Sequence, residues 1–89
     1  PNFSQVTNAS YMFHNCQSLK TFNVSDLNHL INADYMFSDS GIETFTYDLN
    51  RVTDAVHMFD GCSSLDTFNS NCGYLTTSKH IYIYYTLVY

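Results

Sequence analysis

Length, composition and charge restrict the possibilities before any motif is considered. The chain has 89 residues, 45% of them hydrophobic, which is enough for one small domain and too few for two. Three Lys and Arg against eight Asp and Glu give a formal net charge of −5, the wrong sign for gripping a phosphate backbone. No window approaches the roughly 20 apolar residues that cross a bilayer. We therefore expect a single domain over 1–89, with no nucleic-acid partner and no membrane insertion.

An internal repeat organises most of the chain. Three copies begin at Val6, Leu30 and Val52, and their methionines, Met12, Met36 and Met58, are separated by 24 and 22 residues. The aligned segments read VTNASYMFHNCQSLKTFNV, LINADYMFSDSGIETFTY and VTDAVHMFDGCSSLDTFNS. We name these copy one (about 6–29), copy two (30–51) and copy three (52–74). A degenerate fourth repeat or cap is expected at 75–89.

Each copy is too short to bury its own apolar residues, so the copies are expected to stack with equivalent positions in columns. Alternation around Leu19–Val24 predicts a short strand, and the Met-Phe segment followed by a polar turn predicts a helical or 3₁₀ return. The sequence therefore predicts a repeat solenoid whose strands, centred on Phe22, Phe45 and Phe68, pair in parallel and in register. The predicted apolar columns are Val6/Leu30/Val52/Leu75, Ala9/Ala33/Ala55, Met12/Met36/Met58/Ile81, Phe13/Phe37/Phe59/Tyr82, Leu19/Ile42/Leu65 and Phe22/Phe45/Phe68.

At these residues the chain resembles the BspA-like leucine-rich repeats, in the variant found in bacterial surface lipoproteins. Copy three carries the resemblance best, since VTDAVHMFDGCSSLDTF follows the pattern Val-Thr-x-x-x-x-Met-Phe-x-x-Cys-x-x-Leu. Copy two departs from it, with Ser40 and Gly41 in the Cys region. The resemblance implies a leucine-rich-repeat-like spiral of parallel strands and a non-catalytic role in adhesion or recognition at a cell surface, with copies also on phage particles.

The cysteines and histidines favour structural roles. Cys16 and Cys62 occupy the same position of copies one and three, which places them near 10 Å apart in a stack, beyond the roughly 7 Å limit for a disulfide. We expect both to be buried and reduced. Two alternatives remain: a Cys62–Cys72 bridge, and a metal held by the aligned histidines of copies three and four, His57 and His80. The expectation is no metal and no cofactor.

No catalytic motif is found. Gly-x-Ser-x-Gly, a phosphate-binding glycine loop and paired carboxylates are all missing from the sequence, so we expect no enzyme, and an enzyme fragment is the least favoured hypothesis.

The candidate binding surface is the outward side of the strands. If the three strand phenylalanines point inward, their neighbours point outward by the period of two. The resulting face would be neutral, with Lys20, Glu43 and Asp66 beside it. It has three interpretations: a soluble wall, a recognition face for a protein or glycan, or an ice-binding array. The predicted face comprises Thr21, Asn23, Thr44, Thr46, Thr67 and Asn69.

The C-terminal segment HIYIYYTLVY (80–89) has the composition of a strand buried on at least one face. We expect a β-rich cap, or a strand that pairs with another chain, and we expect the whole to be part of a longer array. The favoured function is an extracellular or cell-surface adhesion module. The alternative is a structural or host-recognition subunit of a phage particle or other large assembly, located in the virion, with a neighbouring subunit as its partner.

Overall fold

The computed structural model describes residues 3–71, which contain two short strands. Strand β1 (Thr44–Phe45) lies in copy two and strand β2 (Thr67–Phe68) lies in copy three. They pair in parallel, with Thr44 opposite Thr67 and Phe45 opposite Phe68. The predicted parallel, in-register pairing is therefore confirmed for copies two and three.

A second parallel ladder lies at the start of the copies. Asn8 bridges to Asn32, and Asn32 bridges to Asp54. These three residues each precede the alanine of their copy, so equivalent positions of all three copies lie side by side. The side-chain oxygens of Asn8 and Asn32 also accept hydrogen bonds from amides two residues later, at 2.9 and 3.0 Å, which closes an Asx turn in each copy.

The strand predicted around Phe22 is not assigned, although copy one runs beside copy two here. The amide of Glu43 donates to the carbonyl of Lys20 at 2.9 Å. Further along, the amide of Val24 donates to the hydroxyl of Tyr47 at 2.9 Å. A side chain, rather than a carbonyl, takes that amide, and the ladder between copies one and two stops there.

The return segments form consecutive hydrogen-bonded turns instead of the predicted helical or 3₁₀ turns, and residues 3–71 include no helix. Alternate amides bond in two directions. In copy one the amides of Met12 and His14 donate within the copy, to carbonyls three residues back at 3.1 Å. The amides between them cross to copy two: Tyr11 to Asp34 O, Phe13 to Met36 O and Asn15 to Ser38 O, at 2.7–2.9 Å. Copy two repeats the pattern toward copy three.

Backbone dihedrals explain why a helix does not form. Two positions of every copy have a positive φ, which interrupts the run of right-handed residues that a helix requires. One position holds Asn15 (63°), Asp39 (58°) and Gly61 (76°), residue types that tolerate this region, and the other holds the aromatic residues Tyr11 (60°), Tyr35 (57°) and His57 (52°). The repeated left-handed residues aim every second amide at the next copy.

Two columns of phenylalanine rings form the centre of the core. Phe37 stacks on Phe13 and on Phe59 with centroids 5.5 and 5.6 Å apart and nearly parallel rings. Phe45 packs edge to face against Phe59 at 5.1 Å and stacks on Phe68 at 5.8 Å. Offset-stacked and edge-to-face rings contribute beyond their buried area, about 0.5–1.5 kcal/mol for each pair. The column of return-segment rings thus interlocks with the column of strand rings.

Burial of the predicted columns differs between copies. Copy two is fully enclosed: Leu30, Ala33, Met36, Phe37, Ile42 and Phe45 are all at most 1% exposed. In copy one Val6, Phe13 and Leu19 are half-buried. Met12 is 44% exposed, so the prediction of a buried methionine at this position is wrong for copy one. Copy two has a layer on each side, whereas no other part of 3–71 covers the outer side of copy one.

One core column was missed by the sequence interpretation. Phe3, Leu27 and Leu49 each precede the first residue of a copy by three positions, and each carbonyl accepts from that residue's amide at 3.0–3.2 Å. Leu27 and Leu49 are 1% and 0% exposed. Their spacing of 24 and 22 residues, the same as that of the methionines, was the available signal.

The predicted fourth repeat or cap at 75–89, with the candidate inward residues Leu75, Ile81 and Tyr82, lies outside the described residues. Over 3–71, no helix is long and apolar enough to cross a membrane.

Candidate binding surfaces

The strand face, defined as Thr21, Asn23, Thr44, Thr46, Thr67 and Asn69, lies where alternation predicted it. All six residues are exposed, while Phe22 and Phe45 between them are buried and Phe68 is half-buried. Pairing of β1 with β2 holds Thr44 beside Thr67, and the amide of Asn69 donates to the carbonyl of Phe45 at 3.0 Å. The sheet therefore aligns the outward hydroxyls and amides of neighbouring copies.

Charged side chains flank one side of this face. Lys20, Glu43 and Asp66 are all exposed and directly precede the three threonines of the first column. The hydroxyl of Thr67 donates to a carboxylate oxygen of Asp66 at 3.1 Å. The face itself is uncharged, so its chemistry is hydrogen bonding.

At copy one the strand face meets an apolar recess of about 270 Å³, which we call the end recess. Its apolar lining is the half-buried side of copy one, and Phe3 packs there edge to face on Phe22 at 5.6 Å. Two residues of the strand face, Thr21 and Asn23, also line it. The full lining is Phe3, Phe13, Leu19, Thr21, Phe22, Asn23 and Val24.

A polar recess of about 250 Å³ lies on the turn side, and we call it the turn recess. Copies one and three contribute to its walls and copy two forms its floor. Its side chains are hydroxyl, amide and charged groups, with one lysine and one aspartate. The lining residues are Gln17, Lys20, Asp39, Ser40, Gly41, Gly61, Ser63 and Ser64.

The turn recess follows from the length difference between copies. In copies one and three a four-residue turn projects after the cysteine, closed by the bonds Leu19 N to Cys16 O and Leu65 N to Cys62 O, both 3.1 Å. Copy two has one residue fewer between its phenylalanine and its isoleucine, so its chain runs straight from Ser40 through Gly41. The missing turn leaves a gap between two that are present.

Glycine is required at the floor of this recess. The amide of Gly41 donates to the carbonyl of Cys16 at 3.1 Å. A Cβ on Gly41 would collide with the carbonyl oxygen of Gln17. The backbone of copy two therefore lies against that of copy one, and the recess reaches down to main-chain atoms.

The cysteine position behaves differently in each copy. Cys62 is 1% exposed, and its thiol donates to the carbonyl of Phe37 at 2.9 Å and lies 3.6 Å from the hydroxyl of Ser40. Burial raises the pKa of the Cys62 thiol from its ordinary 9.0, and the hydrogen bonds with Ser40 oppose that rise. Cys16 is half-buried, so the prediction of a buried thiol is wrong there, because copy one forms the edge of the described stack. Both thiols are free; Cys72 lies outside the described residues.

An aromatic ladder on the return segments was not anticipated. The rings of Tyr11 and Tyr35 stack with centroids 4.7 Å apart and an interplanar angle of 6°, and His57 lies 5.2 Å beyond Tyr35. His57 Nδ1 is also 3.8 Å from a carboxylate oxygen of Asp60. These aromatic residues occupy one of the two positive-φ positions, so ring stacking offsets the cost of an unfavourable backbone conformation, about 1–3 kcal/mol per residue.

Metal ligands were considered at His57 with His80, and His80 lies beyond the described part of the chain. Within residues 3–71, no group of three or more His, Cys, Asp or Glu is arranged to hold a metal ion.

Comparison with known proteins gives one family match. Residues 1–44 are similar to a family described as a Mycoplasma protein of unknown function, DUF285. This region includes copy one and the first part of copy two. No curated protein and no solved structure gives a match to the chain.

Proposed function

We propose that this chain is a non-catalytic recognition module, a leucine-rich-repeat-like solenoid of the BspA-like kind that binds a protein or glycan through its strand face. The proposal places it outside the cell or on a cell surface. The observation that carries it is the strand face itself: six exposed, uncharged hydrogen-bonding side chains at equivalent positions of three neighbouring copies.

Rigidity of the face supports this role. The residues behind it, Phe22 and Phe45, are fixed in the interlocked phenylalanine columns, and the backbone of β1 is paired with β2. Threonine is also stiff at its first side-chain torsion. A partner therefore meets groups that lose little conformational freedom on binding, which favours affinity.

Residue types support recognition by hydrogen bonding instead of by charge. The face has hydroxyl and amide groups that both donate and accept, whereas the charged residues beside it are one lysine, one glutamate and one aspartate. Since charge mainly steers a partner and depends on salt, binding through this face should change little with ionic strength.

The family similarity supports only the coarser part of the proposal. A match over residues 1–44 fits a repeat family and carries no function with it. The finer assignment to BspA-like repeats depends on the motif in copy three, and adhesion follows from that resemblance.

The test is binding of the full chain to an array of uncharged oligosaccharides and uncharged peptides, with Thr44 and Thr46 both changed to lysine. Both side chains are exposed, so the fold should persist, while two added charges on the centre of the face should lower binding by about tenfold or more. Circular dichroism and thermal melting check that the variant is folded. Repeating the measurement at low and high salt checks the expected insensitivity of the parent chain.

The matched control changes Asn28 and Asn50 to lysine. Both asparagines are exposed, lie at equivalent positions of copies one and two, and are remote in sequence from the face. Their variant adds the same charge and should bind like the parent. If the folded parent binds nothing on the array, or if the two variants lose binding equally, the strand face is not the recognition surface.

A further inference from the structure

The turn recess is a second polar surface, separate from the strand face and independent of its proposed role. Six of its eight lining residues belong to the turns that follow the phenylalanines of copies two and three, and the other two, Gln17 and Lys20, belong to copy one. Its existence follows from a single missing residue in copy two. It is therefore a local feature at one place, unlike the columns that run through every copy.

Size restricts what the recess can hold. Its volume of about 250 Å³ is below the range of roughly 300–1,000 Å³ that is usual for sites of drug-sized ligands. One sugar ring or a molecule of similar size fits this space, and a longer oligomer would have to extend into solvent. The open side of the recess permits such an extension.

Chemistry restricts the ligand further. Ser63 and Ser64 supply hydroxyls, Gln17 supplies an amide that donates and accepts, and Gly41 brings main-chain atoms to the floor. No apolar side chain lines the recess. A ligand with hydroxyl groups on several sides satisfies this set, whereas an apolar ligand would leave the lining groups without partners.

Charge indicates a neutral ligand. Lys20 and Asp39 contribute one positive and one negative charge to the lining, and within residues 3–71 neither forms an ion pair. The ammonium donates and the carboxylate accepts two hydrogen bonds, so the pair suits adjacent hydroxyls that act as both donors and acceptors. A charged ligand would gain from one of the two groups and be repelled by the other.

We propose that the turn recess binds a single neutral sugar residue, such as the end of a glycan chain. Asp39 accepts from two neighbouring hydroxyls, Lys20 and the Gln17 amide donate from the opposite wall, and Ser63 and Ser64 close the third side. With no aromatic ring in the lining to stack on the sugar, affinity depends on hydrogen bonds alone and should be in the millimolar range.

The experiment is an NMR titration of the ¹⁵N-labelled full chain with methyl glycosides of neutral hexoses and N-acetylhexosamines. The chain has three glycines, and Gly41 and Gly61 line the recess, so their amide signals are direct reporters. We expect saturable shifts of these two signals with at least one glycoside. Acetate, ethylamine and glycine serve as charged probes and should cause no saturable shift there.

Two variants form a matched pair. Ser64→Phe places a ring in the recess, whereas Ser18→Phe places it on the equivalent turn of copy one, which does not line the recess. We expect Ser64→Phe to abolish the saturable shifts and Ser18→Phe to preserve them. Asp39→Asn keeps a residue that tolerates the positive φ of 58° and should weaken binding by about tenfold.

The outcomes separate this site from the strand face. The double lysine variant at Thr44 and Thr46 should respond to glycosides as the parent does. The proposal is overturned if no glycoside shifts Gly41 or Gly61 in the folded chain, if Ser64→Phe binds like Ser18→Phe, or if the charged probes bind in preference to the sugars.

Discussion

Copy one and copy two carry the same residue types at equivalent positions and place them in different environments. Met12 is 44% exposed whereas Met36 is fully buried, and Phe13 is half-buried whereas Phe37 has a ring stacked on each face. The difference lies in the neighbours, because copy two has a copy on each side. In stacked units, burial depends on the position in the stack as much as on the residue, and stability should depend on it in the same way.

The largest expected effect is at Phe45. This ring is 1% exposed and contacts Phe37, Phe59 and Phe68. Phe45→Ala should lower the free energy of unfolding by about 3–5 kcal/mol, because it removes a large buried side chain and leaves a cavity. Urea denaturation monitored by circular dichroism measures the change.

The comparison for Phe45 is Phe68→Ala, at the half-buried position of copy three, where a smaller loss is expected. A Phe45→Ala variant that denatures at the same urea concentration as the parent would mean that the phenylalanine column is not the core.

A smaller pair of effects compares the two methionines directly. Met36→Ala should cost about 2–5 kcal/mol, the usual range for a buried methionine, whereas Met12→Ala should cost no more than about 0.5 kcal/mol. The same substitution in the same motif then reports only the position in the stack. Equal losses at the two sites would show that copy one is covered in solution by something beyond residues 3–71.

The smallest effect concerns the two cysteines that occupy the same position of copies one and three. Cys16 is half-buried and Cys62 is 1% exposed, so a thiol reagent should label Cys16 faster in native buffer. Mass spectrometry of digested samples taken over time measures both rates. Similar rates would indicate that copy three opens as readily as copy one.

The pH dependence of stability extends the same comparison. Burial raises the pKa of Cys62 in the folded chain, so the folded state holds this proton more tightly than the unfolded state does. The resulting stability is complete below the ordinary thiol pKa of 9.0 and is lost as pH rises through the higher folded value. Cys62→Ala should remove this part of the alkaline loss, while Cys16→Ala should leave it in place.

Much of this arrangement could be predicted because it depends on periodicity. The spacing of the three strand phenylalanines, 23 residues each time, predicted the pairing of Phe45 with Phe68, and alternation predicted that the neighbouring threonines and asparagines are exposed. Their use in binding remains a prediction. The column of Phe3, Leu27 and Leu49 had the same periodicity and was missed because it precedes the part of the motif that is most alike between copies.

Other features had no pattern in the sequence that could reveal them. The left-handed conformation of Tyr11, Tyr35 and His57 contradicts the local preference of aromatic residues, and it persists because every second amide bonds to the next copy and the rings stack. Local propensity favoured a helical turn there, and bonds between copies determined a different conformation.

The sequence alone determined which residues are equivalent, since a repeat period assigns every position to a column without knowledge of any contact. The tertiary structure decided what each column member experiences. The exposure of Met12, the rise in the pKa of Cys62 and the gap above Gly41 all depend on which copy lies alongside and how long its turn is. Solvent exclusion and steric fit are properties of neighbouring layers, and a single unit does not contain them.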